Sequence, residues 1–196
     1  MYLATCCRGA HEGSTEEFSA NEKLTRIING SSQKDGIIEK FIMSRVSICF
    51  PCNEAKKKIF WQLLCFEVMF FWNLLSSCDT SALEGIIDAC KDIKSPSDDE
   101  PFTGLSSFII ATCFNLLHDI ENATFYYRRC IDECNIATLK FSHIPAYANY
   151  ELAVLFISHG NDESRKEANA LLQNAQQFKN YDFEYRLKLK LQNVKV

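Results

Sequence analysis

The sequence predicts an all-α protein built as a right-handed α-solenoid of helical hairpins, and three observations support this prediction. Helix breakers are scarce, since the 196 residues include only seven Gly and four Pro. Apolar residues recur with the period of an α-helix over most of the chain. A fixed spacing of small and large side chains occurs four times in order, which indicates stacked copies of one structural unit. We therefore expect residues 1–196 to form a single helical-repeat domain.

The composition is that of a globular protein, with 47% hydrophobic and 23% charged residues. The net charge of −4 argues against general affinity for nucleic acid, which needs a basic face. The ten cysteines lie mostly within apolar helical runs, where they behave as small buried residues. Residues 1–17 lack the basic start and apolar stretch of a signal peptide. We expect reduced thiols and a cytoplasmic or nuclear protein.

Turn and capping signals divide the chain into helices. The clearest loops are residues 28–36 and 94–101, and Gly160 ends a further helix. Pro145 suits the first turn of a helix, where a backbone N–H has no partner to lose. Three S-x-x-E spacings, in which side chains bond the free amides of a helix start, begin at Ser14, Ser81 and Ser164.

One triplet recurs in the second helix of each successive pair. It consists of a small residue, then a large apolar residue four positions later and a compact residue seven positions later. The triplets are Ala20, Leu24 and Ile27; Ala82, Ile86 and Ala89; Ala123, Tyr127 and Cys130; and Ala168, Leu172 and Ala175. Three preceding helices carry a large residue, a small residue and then a second large residue, namely Leu64, Cys65 and Val68; Ile110, Ala111 and Phe114; and Leu152, Ala153 and Phe156. Small residues let antiparallel helices approach closely, and the pairs must stack because no single pair can bury both its faces.

These spacings match the core positions of a tetratricopeptide repeat. We predict repeats over residues 1–30, 53–94, 101–138 and 145–180, an extra helix over 37–50 and a C-terminal helix over 181–194. The last segment alternates leucine with polar residues, as a strand does, but it has no predicted strand partner, so we assign it as a helix. The alternative is four unrelated helical hairpins, because each triplet alone is common on amphipathic helices.

The apolar stretch from Ile59 to Leu75 contains one charged residue, Glu67, and raises the question of a membrane span. A charge near the bilayer centre costs about 3 kcal/mol, and the stretch is at the short limit for a span, about 17 residues. We predict that it belongs to the first helix of the second pair, buried between protein neighbours. A membrane-attached protein held by residues 59–75 is the alternative.

Six blocks of sequence stand out once the repeats are aligned. They are YLATCC (2–7), IEKFIMSRVSICF (38–50), LLCFEVMFFWNLLSSC (63–78), YYRRCIDE (126–133), PAYANYELAVLFISHGN (145–161) and EANALLQNAQQFKNYDFEYRLKLKLQ (167–192). On these blocks the chain resembles the C-terminal part of the tetratricopeptide repeat protein 39 family, which includes the fungal inclusion-body clearance proteins. It is most similar to the 39C branch of that family. The last two blocks are the most specific, and the resemblance covers most of the chain.

The resemblance implies a non-enzymatic adaptor that binds other proteins. It implies a role in cilium assembly, to which the 39C-like members are linked, and hence a cytoplasmic or cilium-associated protein. Regulation of lipid- or sterol-linked signalling and inclusion-body clearance, which are linked to other members, are the alternatives. Because members of the family are much longer, it also implies that these 196 residues are a fragment, a short isoform or a truncated gene product.

No motif in the sequence predicts an enzyme or a metal site. Cys49 and Cys52 have the spacing of a redox pair, but Pro51 breaks the helix there and no strand precedes them. A zinc site needs a second pair at metal spacing, and Cys130 and Cys134 have no histidine nearby. We expect no catalytic residues, no metal, no cofactor and no small-molecule substrate. An enzyme with a nucleophilic cysteine in the first pair is the alternative.

In a solenoid of this kind the first helices line the concave face, where a partner protein is expected to bind. The inward positions of the third and fourth repeats are Leu105, Phe108, Thr112, Asn115, Tyr147, Tyr150, Val154 and Ile157. This set is mainly apolar and aromatic. The face either grips an apolar helix or peptide of another protein, or it is filled by the chain itself, including residues 181–191, because large exposed apolar patches are rare on monomers.

Overall fold

The computed structural model describes Phe41, Arg45 and residues 54–93, 104–136 and 143–194. These residues form seven α-helices and one short 3-10 helix, and no strand lies among them. The prediction of an all-α fold is therefore confirmed for this part of the chain.

Several predicted features lie outside the described residues. They are the first repeat over 1–30 with Ala20, the loops over 28–36 and 94–101, the start of a helix at Ser14, the pair formed by Cys49 and Cys52, and all of the extra helix over 37–50 except Phe41 and Arg45.

The helices follow one another along the chain with short connections. They are α1 (Glu54–Phe71), α2 (Thr80–Lys91), α3 (Leu105–Leu116), α4 (Ile120–Ile136), α5 (His143–His159), α6 (Asp162–Gln177) and α7 (Glu184–Asn193), with the 3-10 helix at Leu75–Ser77. The chain divides into two compact units between Val68 and Met69, so the last residues of α1 belong to the second unit.

The first unit contains a buried ion pair that bears on the question of a membrane span. Glu67 on α1 is only 2% exposed and Arg45 is 4% exposed. Arg45 Nη2 lies 3.3 Å from Glu67 Oε1, and Arg45 Nε donates a hydrogen bond of 3.5 Å to Glu67 Oε2. The guanidinium also lies 4.4 Å from the centre of the Phe41 ring. Because removing one partner of such a pair costs about 3–5 kcal/mol, the burial of Glu67 depends on its pairing with Arg45.

None of the helices described here combines the length and the apolar character that crossing a bilayer requires. The stretch from Ile59 to Leu75 is also not one continuous helix. Lys56, Lys57 and Lys58 lie in the first turns of α1, and the helix ends before the apolar stretch does.

α1 ends at Phe71 because the backbone turns at Asn73. Asn73 adopts the left-handed conformation, with φ of 57°. Its N–H donates to Phe70 O at 2.9 Å, and the N–H of Leu74 donates to Met69 O at 2.8 Å. This pair of bonds is the Schellman motif, which satisfies the last carbonyls of a helix. Asparagine tolerates the left-handed conformation better than most residues, so the residue at position 73 itself favours the end of α1 here.

Two helix starts use acceptors that lie earlier in the chain than the predicted capping boxes. Asp79 caps α2 by accepting a bond of 2.8 Å from Ala82 N. Asn161 caps α6 by accepting a bond of 2.9 Å from Ser164 N. The helices begin within a residue of the predicted positions, at Thr80 and Asp162. The assignment of Ser81 and Ser164 as their capping residues is wrong, because an Asp or Asn two or three residues upstream already satisfies the first free amides.

The predicted boundaries of α5 agree with the structure. The helix ends at His159, and the N–H of the following residue, Gly160, donates to Phe156 O at 2.8 Å. Pro145 lies in the first turn, where its missing N–H leaves no helical bond unmade.

In the second unit each helix packs against its neighbours in sequence. α2 packs on α3, α3 on α4, α4 on α5 and α5 on α6, and α7 returns to pack on α5. Only residues 117–119 join α3 to α4, and only residues 160–161 join α5 to α6. Such short connections produce helical hairpins, with the core between consecutive helices.

The small residues predicted in α3 to α6 are enclosed in this core. Ala111, Ala123, Ala153 and Ala168 are each 0% exposed. Four further repeat positions in these helices are buried as well, namely Tyr127, Cys130, Leu172 and Ala175, whereas Phe114 is half-buried. A side chain with little bulk at these places lets neighbouring helices approach closely, so that larger residues beside it reach across and fill the gap.

The repeat positions of α1 and α2 need a correction. Ala82 is exposed and Ala89 is half-buried, and Cys65 is half-buried on α1. α2 instead buries the larger residues Leu83, Ile86, Ile87 and Cys90. These side chains form a stripe on one side of the helix. Because burying them removes more apolar surface from water than burying two alanines, they decide which side of α2 faces the core.

We expect Ala168→Trp to destabilise the protein strongly and Ala170→Trp to be tolerated. Ala168 is fully buried on α6, so an indole there must displace its neighbours, at a cost of about 3 kcal/mol, the upper end for overpacking. Ala170 is exposed on the same helix, so Trp should cost only about 0.5 kcal/mol through its lower helix propensity. Urea denaturation followed by circular dichroism measures both. Equal stability of the two variants would contradict the packing of α6.

Candidate functional site

The eight residues predicted to line a concave surface lie on α3 and α5, and we call their surface the α3–α5 face. It has a covered part and an open part. The covered residues, which are buried, are Leu105, Phe108, Thr112, Tyr147 and Tyr150. The open residues, which are half-buried, are Asn115, Val154 and Ile157. Part of the predicted binding surface is therefore occupied within the chain.

Two aromatic residues at the end of α1 connect the two helices of this face. The ring of Phe70 lies 4.8 Å from that of Phe108 on α3 and 5.6 Å from that of Tyr147 on α5, edge to face in both pairs. The ring of Phe71 lies 5.2 Å from that of Tyr147. Such pairs are worth about 0.5–1.5 kcal/mol beyond the area they bury. The predicted residues Phe108 and Tyr147 thus belong to one aromatic cluster.

Residues 181–194, which we call the C-terminal segment, cover the rest of this cluster. The ring of Phe183 lies 4.4 Å from that of Phe71, and its carbonyl oxygen accepts a bond of 3.1 Å from the Tyr147 hydroxyl. Leu187, one turn along α7, is 0% exposed. A helix of the chain itself therefore covers the α5 side of this face, at Tyr147 and Tyr150, together with the end of α1.

Arg186 adds a polar anchor to the C-terminal segment. Its Nη1 donates a bond of 2.7 Å to the carbonyl oxygen of Phe71, which lies at the C-terminal end of α1. Carbonyls at that end of a helix have no partner within the helix and carry its negative partial charge. The guanidinium also lies 5.9 Å from the centre of the Trp72 ring. A cation is therefore well matched to this position.

Lys190 lies against three aromatic rings and a carboxylate. Its Nζ is 5.2 Å from the ring centre of Tyr150, 5.9 Å from that of Phe70 and 6.0 Å from that of Tyr147. It also donates a hydrogen bond of 3.0 Å to Glu151 Oε1. Rings that surround an ammonium group in this way form an aromatic cage, and each cation–π contact at a partly exposed site is worth about 0.5–1 kcal/mol.

The tyrosines of the cage keep their protons at neutral pH. Burial raises the pKa of Tyr150 to about 12, and the neighbouring Glu151 carboxylate adds to the shift. Burial is also the main cause that raises the pKa of Tyr147. The Tyr147 hydroxyl therefore remains a hydrogen-bond donor to the carbonyl of Phe183, and no negative phenolate forms beside Glu151.

Phe183 begins α7 in a strained backbone conformation. Its φ of 62° and ψ of 18° lie in the left-handed region, which costs a bulky residue roughly 1–2 kcal/mol. The ring contact with Phe71, a second ring contact of 5.8 Å with Trp72 and the bond from Tyr147 hold it there. The strain is offset only while the C-terminal segment stays on the α3–α5 face.

Thr112 serves the structure rather than a partner. Its hydroxyl donates a bond of 2.9 Å to Phe108 O within α3 and accepts a bond of 3.4 Å from the buried hydroxyl of Tyr127 on α4. Burial raises the pKa of Tyr127 well above its ordinary value, so this donor stays protonated. Of the predicted polar residues on the face, only Asn115 remains partly open.

Phe70, Phe71 and Glu151 complete the site and were not singled out in the sequence. Phe183 and Lys190 lie within residues 181–191, which were predicted as one of two alternative occupants of the face. Two signals point to them in retrospect. The first signal is the pair of aromatic residues, Phe70 and Phe71, just before the Asn that ends a helix. The second is the spacing of Phe183, Leu187 and Lys190, since residues four and seven positions after the first lie on the same side of an α-helix.

Three of the six described cysteines are in environments that disfavour a reactive thiolate. Cys90, Cys113 and Cys130 are buried and free, and burial is the main cause that raises the pKa of each. A raised pKa disfavours the thiolate, which is the nucleophilic form. Among the described residues, no group of three or more His, Cys, Asp or Glu side chains is arranged to hold a metal ion.

The chain matches no family model, and it matches no solved structure. The function proposed below is therefore inferred from the α3–α5 face and from the resemblance seen in the sequence.

We expect Cys90 and Cys113 to resist alkylation in the folded protein, while the half-buried Cys78 reacts. Burial raises the pKa of both thiols from 9.0 to about 12, so their thiolates are about 1,000-fold scarcer at neutral pH than that of an ordinary cysteine. Because the folded-state pKa is the higher one, the stabilising effect of the protonated thiols is complete below pH 9 and is lost as the pH rises toward 12.

Pulsed labelling with iodoacetamide between pH 7 and pH 10, read by mass spectrometry of peptides, measures the rates. Labelling of Cys90 or Cys113 as fast as that of Cys78, without unfolding, would show that these thiols are reactive and would contradict their assignment to the core.

Proposed function

We propose that this chain is a non-enzymatic scaffold that binds other proteins through the α3–α5 face. The observation that carries the proposal is that this face already holds an amphipathic helix, α7, through Leu187 and Lys190. Asn115, Val154 and Ile157 on the same face stay partly exposed. A surface that accommodates one amphipathic helix is suited to another by the same helix-in-groove contacts.

The proposed architecture is a right-handed α-solenoid of tetratricopeptide-like hairpins. The packing of each helix from α2 to α6 on its sequence neighbours supports it, as does the complete burial of Ala123, Ala153 and Ala168. In such a stack the first helices of successive hairpins line one continuous surface. That surface explains why aromatic residues of α3 and α5 meet around Phe70.

The proposed biological role rests on the resemblance to the tetratricopeptide repeat protein 39 family. Residues 145–161 and 167–192, which carry that resemblance most specifically, include most of α5 and α6 and all of the aromatic cage except Phe70. We infer a member of the 39C branch that acts as a cytoplasmic or cilium-associated adaptor in cilium assembly.

Affinity capture from ciliated cells tests the binding face. Val154→Glu combined with Ile157→Glu places two charges on the open part of the face, where both side chains are half-exposed and α5 can stay folded. A charge placed in an apolar contact should cost at least about 1.4 kcal/mol of binding free energy. We therefore expect the amount of each captured partner to fall at least tenfold. Quantitative mass spectrometry of the captured proteins measures the loss.

Ala170→Glu, on the exposed side of α6, is the matched control and should capture the same partners as the unchanged chain. Circular dichroism confirms that all three proteins are folded. If the double variant retains the full set of partners in unchanged amounts, the α3–α5 face is not the binding surface. Recovered ciliary components that depend on the face would support the proposed role.

A further inference from the structure

We propose that the C-terminal segment is an internal competitor for the α3–α5 face and occupies the place of a basic partner helix. This inference rests on the proposed function and names the chemistry of the partner. The partner would present an aromatic residue, an arginine three positions later, a leucine at four and a lysine at seven. In the chain itself, Phe183, Arg186, Leu187 and Lys190 hold these positions.

The four side chains contact four different kinds of group. Phe183 stacks on the ring of Phe71, and Arg186 bonds the carbonyl oxygen of Phe71. Leu187 is fully buried, and Lys190 enters the aromatic cage. Because residues three, four and seven apart lie on one side of an α-helix, a single helix can satisfy all four at once. Their combination is more selective than an apolar groove alone.

The charges of the face select a basic helix. The carboxylate of Glu151 and the ring faces of Phe70, Tyr147 and Tyr150 attract an ammonium group. The carbonyl of Phe71 lies at the negative end of α1 and attracts a guanidinium. An acidic or purely apolar helix would leave both features without a counter-charge, so such a partner is disfavoured.

One side of α7 is open to solvent, so the C-terminal segment can be displaced. On the outward side of α7, Tyr185 is 71% exposed and Leu189 is 42% exposed. A helix as short as α7 is only marginally stable alone in water, so it depends on the face for its structure. Release of the segment also relieves the backbone strain of the left-handed conformation at Phe183. A longer partner helix could contact Val154 and Ile157 as well.

A labelled peptide with the sequence of residues 181–194 tests the competition directly. The receptors are the full-length chain and its Leu187→Asp variant, in which the internal segment is released because its buried leucine becomes charged. Leu189→Asp, at an exposed position of α7, is the matched control. Fluorescence anisotropy measures binding. We expect the Leu187→Asp chain to bind the peptide at least tenfold more tightly than the other two chains.

Peptide variants test the cage. Replacing the lysine at position 190 of the peptide by alanine should weaken binding to the released chain at least fivefold. Replacing the lysine at position 188 should change little, because Lys188 contacts Glu184 within its own helix, with Nζ 2.6 Å from Oε1. Equal effects of the two substitutions would overturn the assignment of the cage.

Several outcomes would overturn the proposal. Equal peptide binding by the unchanged and released chains would show that the C-terminal segment is no competitor, and absence of binding to every chain would show that the face is no receptor for it. A dimer that exchanges α7 between two copies, detected by light scattering, would make the segment an assembly element instead. If the Leu187→Asp chain does not fold, the Lys190→Glu chain takes its place as the released receptor. This variant reverses a charge at a half-exposed position beside Glu151. We expect it to show the same gain in affinity for the peptide.

The two proposals fail separately. The peptide experiment contains no cellular partner, so its failure leaves intact any capture that depends on Val154 and Ile157. Conversely, if the captured partners do not depend on the face, the proposed function is wrong even where the peptide and the C-terminal segment compete.

Discussion

The second unit depends on the burial of α5 on nearly every side. Every residue from His143 to Tyr150 is buried, and further along the helix so are Leu152, Ala153, Leu155 and Phe156. A helix that is apolar all round must be covered all round, and α3, α4, α6 and α7 provide that cover. Because burying one large aliphatic side chain is worth about 1.5–3 kcal/mol, opening any side of α5 exposes surface that only another protein element could cover.

This requirement connects the fold to the proposed function. On the sides toward α4 and α6, fully buried alanines such as Ala153 and Ala168 allow close and permanent contact. On the remaining side, Tyr147 and Tyr150 meet a short terminal helix held by one buried leucine and two cations. If the proposed competition holds, the cover of α5 is permanent toward α3, α4 and α6 and exchangeable toward α7, which is the arrangement that a regulated binding surface needs.

The sequence predicted the features whose signals are local and missed those that depend on distant contacts. Helical periodicity gave the all-α class, and small residues at fixed spacing identified the buried Ala123 and Ala168. Ala82 was misplaced because a stripe of larger side chains beside it orients α2. Tyr147 was predicted on the proposed binding face, and its cover by residues 181–191 was one of two alternatives that the sequence left open. Leucines alternate along the last segment, and only the position of α7 in space determines that Leu187 faces inward.

Amide hydrogen exchange across α5 and α7, measured in the unchanged chain, tests this account most directly. If α5 is the permanent core and α7 its exchangeable cover, amides of residues 146–156 should exchange only through global unfolding. Amides of residues 187–193 should then exchange at least about 100-fold faster through local opening. Protection of α7 equal to that of α5, or rapid exchange within α5 itself, would contradict it.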